Sequence, residues 1–258
     1  MSDIKNLAID MNSDIGEGFG AWSMGDDSAI LDSVSSANIA CGYHAGDPSI
    51  MRKTVEMCAD RGVGIGAHVS YPDLAGFGRR EMALSPQEVY DCCLYQIGAL
   101  GAFCMASGAP LRHVKPHGAL YNRAAKDRGI ADAITRAAKD SGGFILLGMA
   151  NSEMEASAKA AGLPFASEAF ADRAYMSDGT LMPRSMEGSV IHDAAVAARR
   201  AVRMACRGTV VASDGSEISF RPDSICLHGD TPEAVGMALA VRGALAEAGV
   251  EIRAMGGL

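Results

Sequence analysis

Five short polar clusters follow apolar, strand-like runs in this glycine-rich chain of 258 residues. The clusters are 10–17, 38–47, 66–68, 115–122 and 226–230, and they contain four of the six histidines. Side chains at the carboxyl ends of parallel strands gather at one end of a barrel, or at one edge of an open sheet. The pattern therefore predicts an enzyme site assembled from several strand ends.

Strand-like and helix-like segments alternate along the chain, which is typical of β/α units around a parallel sheet. The predicted strands are 7–12, 36–41, 62–68, 114–117, 144–149, 165–168, 209–211 and 224–227. The predicted helices are 48–60, 86–107, 127–139, 151–161, 193–206 and 232–248. Asp47 and Ser85 each precede a proline, which predicts an N-cap followed by Pro at the first helical position.

The number of clusters favours a closed barrel over an open sheet. An open sheet concentrates its site at one switch point, whereas a parallel barrel brings every βα loop to the same face. Polar clusters follow at least five of the predicted strands. We therefore predict an α/β fold, a (β/α) TIM-like barrel of about seven strands.

Composition restricts the classes of protein to consider. With 48% hydrophobic residues and no low-complexity or Pro/Ser-rich tract, the sequence predicts a single domain over 1–258. The net charge of −8 argues against a surface that follows nucleic-acid phosphates. The sequence has neither a signal-peptide pattern nor an apolar run of about 18 residues, so we expect a cytoplasmic protein that does not enter the membrane.

The seven cysteines form no C-x-x-C pair, which argues against a zinc cluster or a disulfide framework. We expect reduced thiols, mostly in the core. Cys41 lies within the second polar cluster and is the one candidate for a reactive thiol, although a core position is favoured.

The first cluster places Asp10, Asn12 and Asp14 two residues apart, so that their side chains share one face of the strand. Three such side chains inside a barrel are costly unless each is hydrogen-bonded, bound to a metal or used on a substrate. We favour a functional interpretation over a solvated strand end.

Three histidines occupy analogous positions after other strands. His44 follows the second strand together with Asn38, His68 ends the third, and His117 shares one face of the fourth with Lys115. Imidazoles that converge with a carboxylate suit either a metal ion or proton transfer. Lys115 could polarise a carbonyl group or contact phosphate, or it could form a salt bridge to an aspartate of the first strand.

Arginines recur in the loops between these elements. Arg79 and Arg80 follow a glycine-containing stretch, and Arg173 and Arg184 lie in later loops. Guanidinium groups recognise carboxylate or phosphate well, although solvated surface arginines are the alternative. The sequence has no G-x-x-x-x-G-K-[ST] motif, so a nucleotide site of that type is absent. His113 and His192 have no comparable neighbours, and we interpret them as structural.

Taken together, the clusters closely resemble the LamB/YcsF family, whose members act as the A subunit of the bacterial ATP-dependent 5-oxoprolinase. The matching segments are 10–18, 35–47, 65–68, 71–73, 76–79, 95–100, 112–122, 169–173 and 226–230. The resemblance implies a (β/α) barrel of the glycoside hydrolase/deacetylase-like type. It also implies opening of the lactam of 5-oxo-L-proline to L-glutamate, coupled to ATP hydrolysis, in a complex with two companion subunits.

On this interpretation the residues divide into two groups. The predicted catalytic residues are Asp14, His44, His68, Lys115 and His117. The residues expected to contact substrate are Asp10, Asn12, Glu17, Asn38, Arg79, Arg80, Asn122, Glu168, Arg173 and His228. Asp14 and one histidine would transfer protons, Lys115 and Asn122 would stabilise an oxyanion or a phosphorylated lactam, and the arginines would hold a carboxylate or phosphate. The expected cofactors are ATP and a divalent metal, either Mg²⁺ with ATP or an ion in the site.

Two alternatives stay open at this point. The first is a stand-alone metal-dependent hydrolase or deacetylase acting on a small amide or sugar, with Asp14, His44 and His68 as ligands. The second is a non-catalytic subunit that binds the substrate and presents it to partners.

Overall fold

Seven parallel strands close into a barrel in the computed structural model, which describes residues 7–227 and 234–256. The first six barrel strands are β1 (Ala8–Ile15), β2 (Ser36–Ala40), β3 (Gly64–Val69), β4 (Leu111–Pro116), β5 (Ile145–Met149) and β6 (Phe165–Phe170). An antiparallel pair, β7 (Thr209–Val211) and β8 (Glu217–Ser219), follows outside the barrel. The seventh barrel strand, β9 (Ser224–Cys226), pairs with both β6 and β1, and β10 (Glu251–Ile252) pairs with the start of β1.

Helices occupy most connections between the barrel strands. They are α1 (Asp27–Leu31), α2 (Pro48–Arg61), α3 (Pro86–Ala106), α4 (Gly118–Ala124), α5 (Arg128–Asp140), α6 (Glu153–Ala161), α7 (Ala194–Arg207) and α8 (Ala234–Glu247). Neighbouring helices pack against one another, with α3 against α5, α5 against α6, and α7 against α8. The outer faces of the strands and the inner faces of these helices share one apolar core.

The helix starts follow from local sequence. The Asp47 carboxylate accepts hydrogen bonds from the main-chain N–H groups of Ser49 and Ile50, and Pro48 begins α2. Ser85 and Glu88 form a reciprocal capping box at the start of α3, again with a proline at the first helical position. These caps satisfy N–H groups that have no partner within the helix, and they agree with the predicted starts.

The barrel prediction is confirmed, with differences in detail. β1 continues to Ile15, beyond the predicted end at residue 12, so Asp14 belongs to the strand. The segment 209–211 is a strand, but it pairs with β8 rather than with the barrel, because the turn around Gly215 folds the chain back. The short elements α1, α4, β8 and β10 were not predicted.

Helix α3 is long and apolar enough to cross a membrane by length and composition, a property that the sequence analysis missed. It packs against α5, β3 and β4 as an outer helix of the barrel. Its side chains Val89, Cys93, Ile97 and Leu100 are buried in the core. Burial in the core involves about a third of this apolar stretch, while Tyr95 and Met105 are exposed.

All seven cysteines are free, as predicted. Cys41 is 2% exposed, and burial raises the pKa of its thiol to about 12. A thiol with such a pKa is protonated at neutral pH and is a poor nucleophile. Cys41 is therefore a core residue rather than a reactive one.

Candidate active site

A cavity of about 550 Å³ opens at the carboxyl ends of the barrel strands. The structure brings nine of the predicted site residues to its wall: Asp14, Glu17, His68, Arg79, Lys115, His117, Asn122, Glu168 and Arg173. They come from β1, β3, β4 and β6 and from the loops and helix that follow these strands. Residues far apart in sequence thus share one cavity.

Most of the other predicted residues lie away from this wall. Asp10, Asn12 and Asn38 are buried inside the barrel, where they do not line the cavity. Arg80 is 67% exposed at its side chain and pairs with Asp73. His228 lies outside the described residues. Substrate contact by these predicted residues stays a prediction.

Lys115 is a buried cation of the site. Its Nζ lies 2.9 Å from Asp14 Oδ1 and 2.8 Å from Glu168 Oε1, and it donates to Cys226 Sγ at 3.2 Å. Burial alone would lower the pKa of Lys115, but Asp14, Cys226 and Glu168 outweigh this effect and raise it well above its ordinary value. Lys115 therefore carries a positive charge, which excludes it as a general base at neutral pH.

Asp14 connects this cation to the histidines. Its Oδ1 accepts from Lys115 and, at 2.8 Å, from Asn38 Nδ2. Its other oxygen, Oδ2, lies 3.3 Å from His68 Nε2. With Oδ1 held by two donors and only 9% of the residue exposed, the carboxylate has a fixed orientation.

Below the cavity, the barrel interior holds a layer of hydrogen-bonded polar side chains. Ser35 and Ser36 donate to Asp10 Oδ1 at 2.7 and 2.6 Å, and Ser224 donates to Oδ2. Burial raises the pKa of Asp10, while these hydroxyl groups act in the opposite direction. Asn12 donates to the same Ser224 at 2.7 Å. Each of these polar groups has a partner, so this layer supports the floor of the site.

Asn38 is oriented by a histidine that we interpreted as structural from the sequence. His113 Nε2 donates to Asn38 Oδ1 at 2.7 Å, which leaves Asn38 Nδ2 to donate to Asn12 and Asp14. His113 is 1% exposed, and burial lowers its pKa to about 3. The neutral ring fixes the amide, and the amide in turn fixes Asp14.

Three histidines and a carboxylate converge at one end of the cavity. Glu17 Oε1 lies 3.1 Å from His44 Nε2 and 3.7 Å from His117 Nδ1, and His117 Nδ1 lies 3.0 Å from His68 Nε2. One ligand atom from each of the four residues lies within 4.8 Å of the others. We call Glu17, His44, His68 and His117 the histidine cluster.

Backbone carbonyl groups determine which ring nitrogens carry a proton. His68 Nδ1 contacts the carbonyl oxygen of Lys115 at 3.1 Å, and His117 Nε2 contacts that of Phe77 at 2.9 Å. A carbonyl oxygen only accepts, so both of these nitrogens donate. In the neutral rings, His68 Nε2 and His117 Nδ1 then present lone pairs to each other, beside Glu17 and Asp14. A cation, or one shared proton, would join these acceptors, so the residues fit a metal ion.

Two histidines of the cluster, His44 and His117, also favour the neutral state. Burial, followed by repulsion from His68, lowers the pKa of His44 well below its ordinary value. Burial, followed by repulsion from His44 and His68, does the same to the pKa of His117. Neutral imidazole is the form that binds metals and accepts protons.

A loop at 73–80, which we call the covering loop, packs over the cluster. The Phe77 ring contacts His44 and His117 edge to face, with ring centroids 5.5 and 5.1 Å apart. Asp73 holds the loop, because its carboxylate accepts from the main chain of Gly76 and from Arg80 Nε, both at 3.0 Å. Through the Phe77 carbonyl group, the loop sets the orientation of His117.

Several groups at the site were not predicted, and a signal existed for one of them. Tyr121 lines the cavity with its hydroxyl beside Glu168, and burial, followed by repulsion from Glu168, raises its pKa well above the ordinary value. It follows His117 by four residues, which is one helical turn, but α4 itself was not predicted. The Phe77 carbonyl has no sequence signal, and Cys226, although it lies in the fifth polar cluster, was not predicted to contact Lys115, because both roles depend on tertiary packing.

The comparison with known families agrees with this arrangement. A sequence model of the LamB/YcsF family matches residues 9–258. The chain belongs to the LamB/YcsF family. The match covers every strand and helix described above except the first residue of β1.

Relatives of this LamB/YcsF protein match it over nearly its full length. The A subunit of 5-oxoprolinase from Nocardia farcinica is 52% identical over 249 residues, covering 96% of this chain and 99% of the relative. Its counterpart from Bacillus subtilis is 50% identical and covers 96% of each chain. The crystal structure of a lactam utilization protein from Thermus thermophilus superposes with a TM-score of 0.92 at 51% identity, covering 96% of this chain and 100% of that one.

Proposed function

We propose that this LamB/YcsF protein is the A subunit of an ATP-dependent 5-oxoprolinase, which opens the lactam of 5-oxo-L-proline to L-glutamate. The proposal rests on sequence similarity to chains named as the A subunit of 5-oxoprolinase. Two of these chains are 52% and 50% identical to this one and match it over 96% of its length. The cavity supports it, since carboxylates, imidazoles and a buried cation lie within reach of one small molecule.

Lactam hydrolysis makes specific chemical demands. Water adds to the carbonyl carbon, the carbon–nitrogen bond breaks, and the nitrogen gains the proton that leaves the attacking water. The reaction needs a base for the water, an acid for the nitrogen and donors for the oxygen that becomes negatively charged. Each of these can be assigned to groups at the cavity.

His68 and Asp14 are suited to hold and deprotonate the water. Their facing atoms, Nε2 and Oδ2, are 3.3 Å apart, so one water molecule could donate a hydrogen bond to each. His68 Nδ1 is occupied by the Lys115 carbonyl oxygen, which leaves Nε2 as the basic nitrogen. His117, 3.0 Å from the same nitrogen, is placed to return the proton to the leaving amine.

The oxyanion requires donors that the resting site does not already use. Lys115 directs its protons to Asp14, Glu168, Asn12 and Cys226, so its main role is to hold the two carboxylates. The Tyr121 hydroxyl and the Asn122 amide line the same cavity. We therefore assign oxyanion stabilisation to these two residues, with Lys115 supplying the positive potential behind them.

ATP hydrolysis and the companion subunits belong to the proposal as well. The absence of a P-loop motif suits a division of labour in which nucleotide, with its Mg²⁺, binds in the assembled complex and largely on other subunits. The names of the relatives imply an enzyme of several subunits. A cytoplasmic location, where ATP is available, completes the proposal.

Reconstitution tests this function. Glutamate release from 5-oxo-L-proline is measured with the chain alone and with two candidate companion subunits, each with and without ATP. We expect release only in the complete, ATP-containing mixture, and a loss of at least about a hundred-fold in Asp14→Asn and His68→Gln. Full activity in both variants would instead indicate a subunit that only presents substrate.

A metal-dependent amide hydrolase is the second candidate, and the histidine cluster is the observation that favours it. Glu17, His44, His68 and His117 would hold a divalent ion, which supplies Lewis acidity and lowers the pKa of bound water. Stoichiometric metal in the purified chain, with chelator-sensitive turnover that needs no ATP, would select this candidate. Glutamate release that requires ATP would reject it.

A further inference from the structure

The cavity extends past the catalytic groups to a rim formed by the segment 171–191. An antiparallel bridge pairs Arg173 with Val190 inside this segment. Arg200 of α7 donates to the main-chain oxygen of Arg173 at 2.6 Å. The rim is therefore fastened to the barrel by defined hydrogen bonds.

Arg173 is a buried cation facing this cavity. The residue is 6% exposed, and its Nε and Nη2 donate to the main-chain oxygens of Ser189 and Met182 at 3.2 and 2.6 Å. Both acceptors are neutral, so neither compensates the charge. Burial, followed by repulsion from Arg184, lowers the pKa of Arg173, although Asp172 acts in the opposite direction. An anion beside this guanidinium would relieve the repulsion.

Further positive charge lies on the rim and beside it. Arg184 of the rim and the neighbouring Arg79 and Lys126 are exposed residues that line the cavity. The segment 171–191 also contains three acids, Asp172, Asp178 and Glu187, of which Asp178 lines the cavity, and its carboxylate accepts from the Thr180 main chain and hydroxyl at 2.9 and 2.6 Å. At this end of the cavity wall, four cations, with Arg173 included, thus accompany one acid.

The proposed substrate uses only part of what this cavity offers. A volume of about 550 Å³ falls in the range that holds drug-sized ligands. Free 5-oxo-L-proline is a single five-membered ring with one carboxylate. It is too small to fill the cavity and brings only one negative charge to a rim that carries several cations.

We propose that Arg173 and Arg184 form a phosphate subsite at the rim, which binds the phosphoryl group of a phosphorylated lactam or the phosphate released from it. Arg184 can offer paired N–H donors to a tetrahedral oxyanion, and Arg173, whose Nε and Nη2 donate to main-chain oxygens, adds its Nη1 group and its charge. That the phosphorylated species is a lactam rests on the proposed function. The expected affinity for phosphate is independent of that function, because it is argued only from the arginines at the rim.

Titration calorimetry of the isolated chain with inorganic phosphate at low ionic strength tests the subsite. We expect one phosphate to bind, with affinity reduced about ten-fold or more in Arg184→Gln and restored in part by Arg184→Lys, which keeps the charge but loses the paired donors. Arg199→Gln is the matched control, because Arg199 is exposed on α7 and does not line the cavity.

A second arm of the titration identifies the source of the phosphoryl group. ATP that binds no more tightly than inorganic phosphate indicates a phosphorylated substrate or free phosphate. ATP that binds more tightly, competes with inorganic phosphate and is weakened by Arg184→Gln indicates that the same arginines receive nucleotide phosphates. Either result supports the subsite, whereas phosphate binding that is absent at millimolar concentration, or equal in wild type and Arg184→Gln, overturns it.

The two proposals fail separately. Glutamate release by the reconstituted complex without phosphate binding to the chain would reject the subsite and retain the function. Phosphate binding that depends on Arg184, without glutamate release, would reject the function and retain the subsite. Arg173→Gln is included only after its thermal unfolding shows a folded protein, because Arg173 is buried.

Discussion

His68 Nε2 and His117 Nδ1 face each other at 3.0 Å, and the opposite nitrogen of each ring donates to a main-chain carbonyl group. Two neutral imidazoles in this arrangement direct lone pairs at one another. Glu17 Oε1 lies 3.7 Å from His117 Nδ1 and adds a negative charge to the same point. The structure thus concentrates acceptors at one point, where a cation or a shared proton would be stabilised.

The first prediction concerns metal binding. We expect the purified chain, after treatment with chelator, to bind one Co²⁺ with visible absorption typical of nitrogen and oxygen ligands. His117→Gln and Glu17→Gln should each weaken binding at least about ten-fold, because each removes one of the four converging ligands. His192→Gln, a change at an exposed residue, is the control. Equal affinity in wild type and His117→Gln would show that the ion binds elsewhere.

The second prediction concerns the pH dependence of stability. Burial lowers the pKa of His113 to about 3, and the pKa values of His44 and His117 are also lowered. In the unfolded chain these histidines titrate near about 6.5, so below that pH the unfolded state binds more protons. The contribution of these histidines to the free energy of unfolding should therefore be fully present above about pH 6.5. At lower pH the free energy of unfolding should fall, by up to about 1.4 kcal/mol per pH unit for each histidine.

Urea unfolding between pH 5 and 8, with chelator present, measures this slope. In His113→Gln the slope below about pH 6.5 should decrease by up to about 1.4 kcal/mol per pH unit, whatever the absolute stability of the variant. His192→Gln, at an exposed position, should retain the slope of the wild type. An unchanged slope in His113→Gln would mean that His113 does not resist protonation in the folded state.

The third prediction concerns the buried cation. Lys115→Met leaves the carboxylates of Asp14 and Glu168 without their shared partner, and we expect a loss of about 3–5 kcal/mol in the free energy of unfolding at neutral pH. Protonation of a carboxylate relieves the repulsion, so the deficit should shrink as the pH is lowered. Chemical denaturation at two pH values measures both effects.

Lys159→Met is the matched control for this substitution. Lys159 lies on α6 and is exposed, so its replacement should change the free energy of unfolding by less than about 0.5 kcal/mol. A Lys115→Met deficit that grows as the pH falls would contradict the proposed ion pairs.

The fourth prediction concerns Gly78 in the covering loop. Gly78 has φ +62°, and a Cβ atom there would lie 2.3 Å from Ser70 Oγ and 2.8 Å from His117 Cδ2. Gly78→Ala should cost about 2–4 kcal/mol and reduce glutamate release at least about ten-fold, since backbone strain and displacement of His117 combine. Gly215 has φ +86°, and no atom lies within 4 Å of an added Cβ there. Gly215→Ala should therefore lower the free energy of unfolding only by the cost of backbone strain, about 1–2 kcal/mol. Similar losses of activity in both variants would argue against a role of the covering loop.

Much of the fold follows from short-range patterns. The alternation of strands and helices and the caps at Asp47 and Ser85 depend on residues within a few positions of one another, so the sequence predicts them. Spacing by two likewise predicts that Asp10, Asn12 and Asp14 share the interior face of β1. The hydrogen bonds from Asn38 to Asn12 and Asp14 agree with this.

The remainder depends on distances that the sequence does not contain. The segment Thr209–Val211 consists of three β-branched residues, as a barrel strand could, yet the turn at Gly215 pairs it with β8. The pairing of Arg80 with Asp73 likewise depends on how the covering loop folds. A main-chain carbonyl that fixes the tautomer of His117 has no sequence signature, because any residue at position 77 supplies that atom.

The last barrel strand to be synthesised also completes the floor of the candidate site. β9 pairs with both β1 and β6, and its Cys226 contacts Lys115 Nζ at 3.2 Å. Before β9 adds to the sheet, β1 and β6 are separated by an open seam, and Asp14 and Glu168 lie on opposite sides of it. In a nascent chain that ends before residue 224, β1 to β4 still carry Asp14, His68 and Lys115, but nothing closes the seam between β1 and β6, so the full set of contacts that includes Glu168 and Cys226 forms only with ring closure.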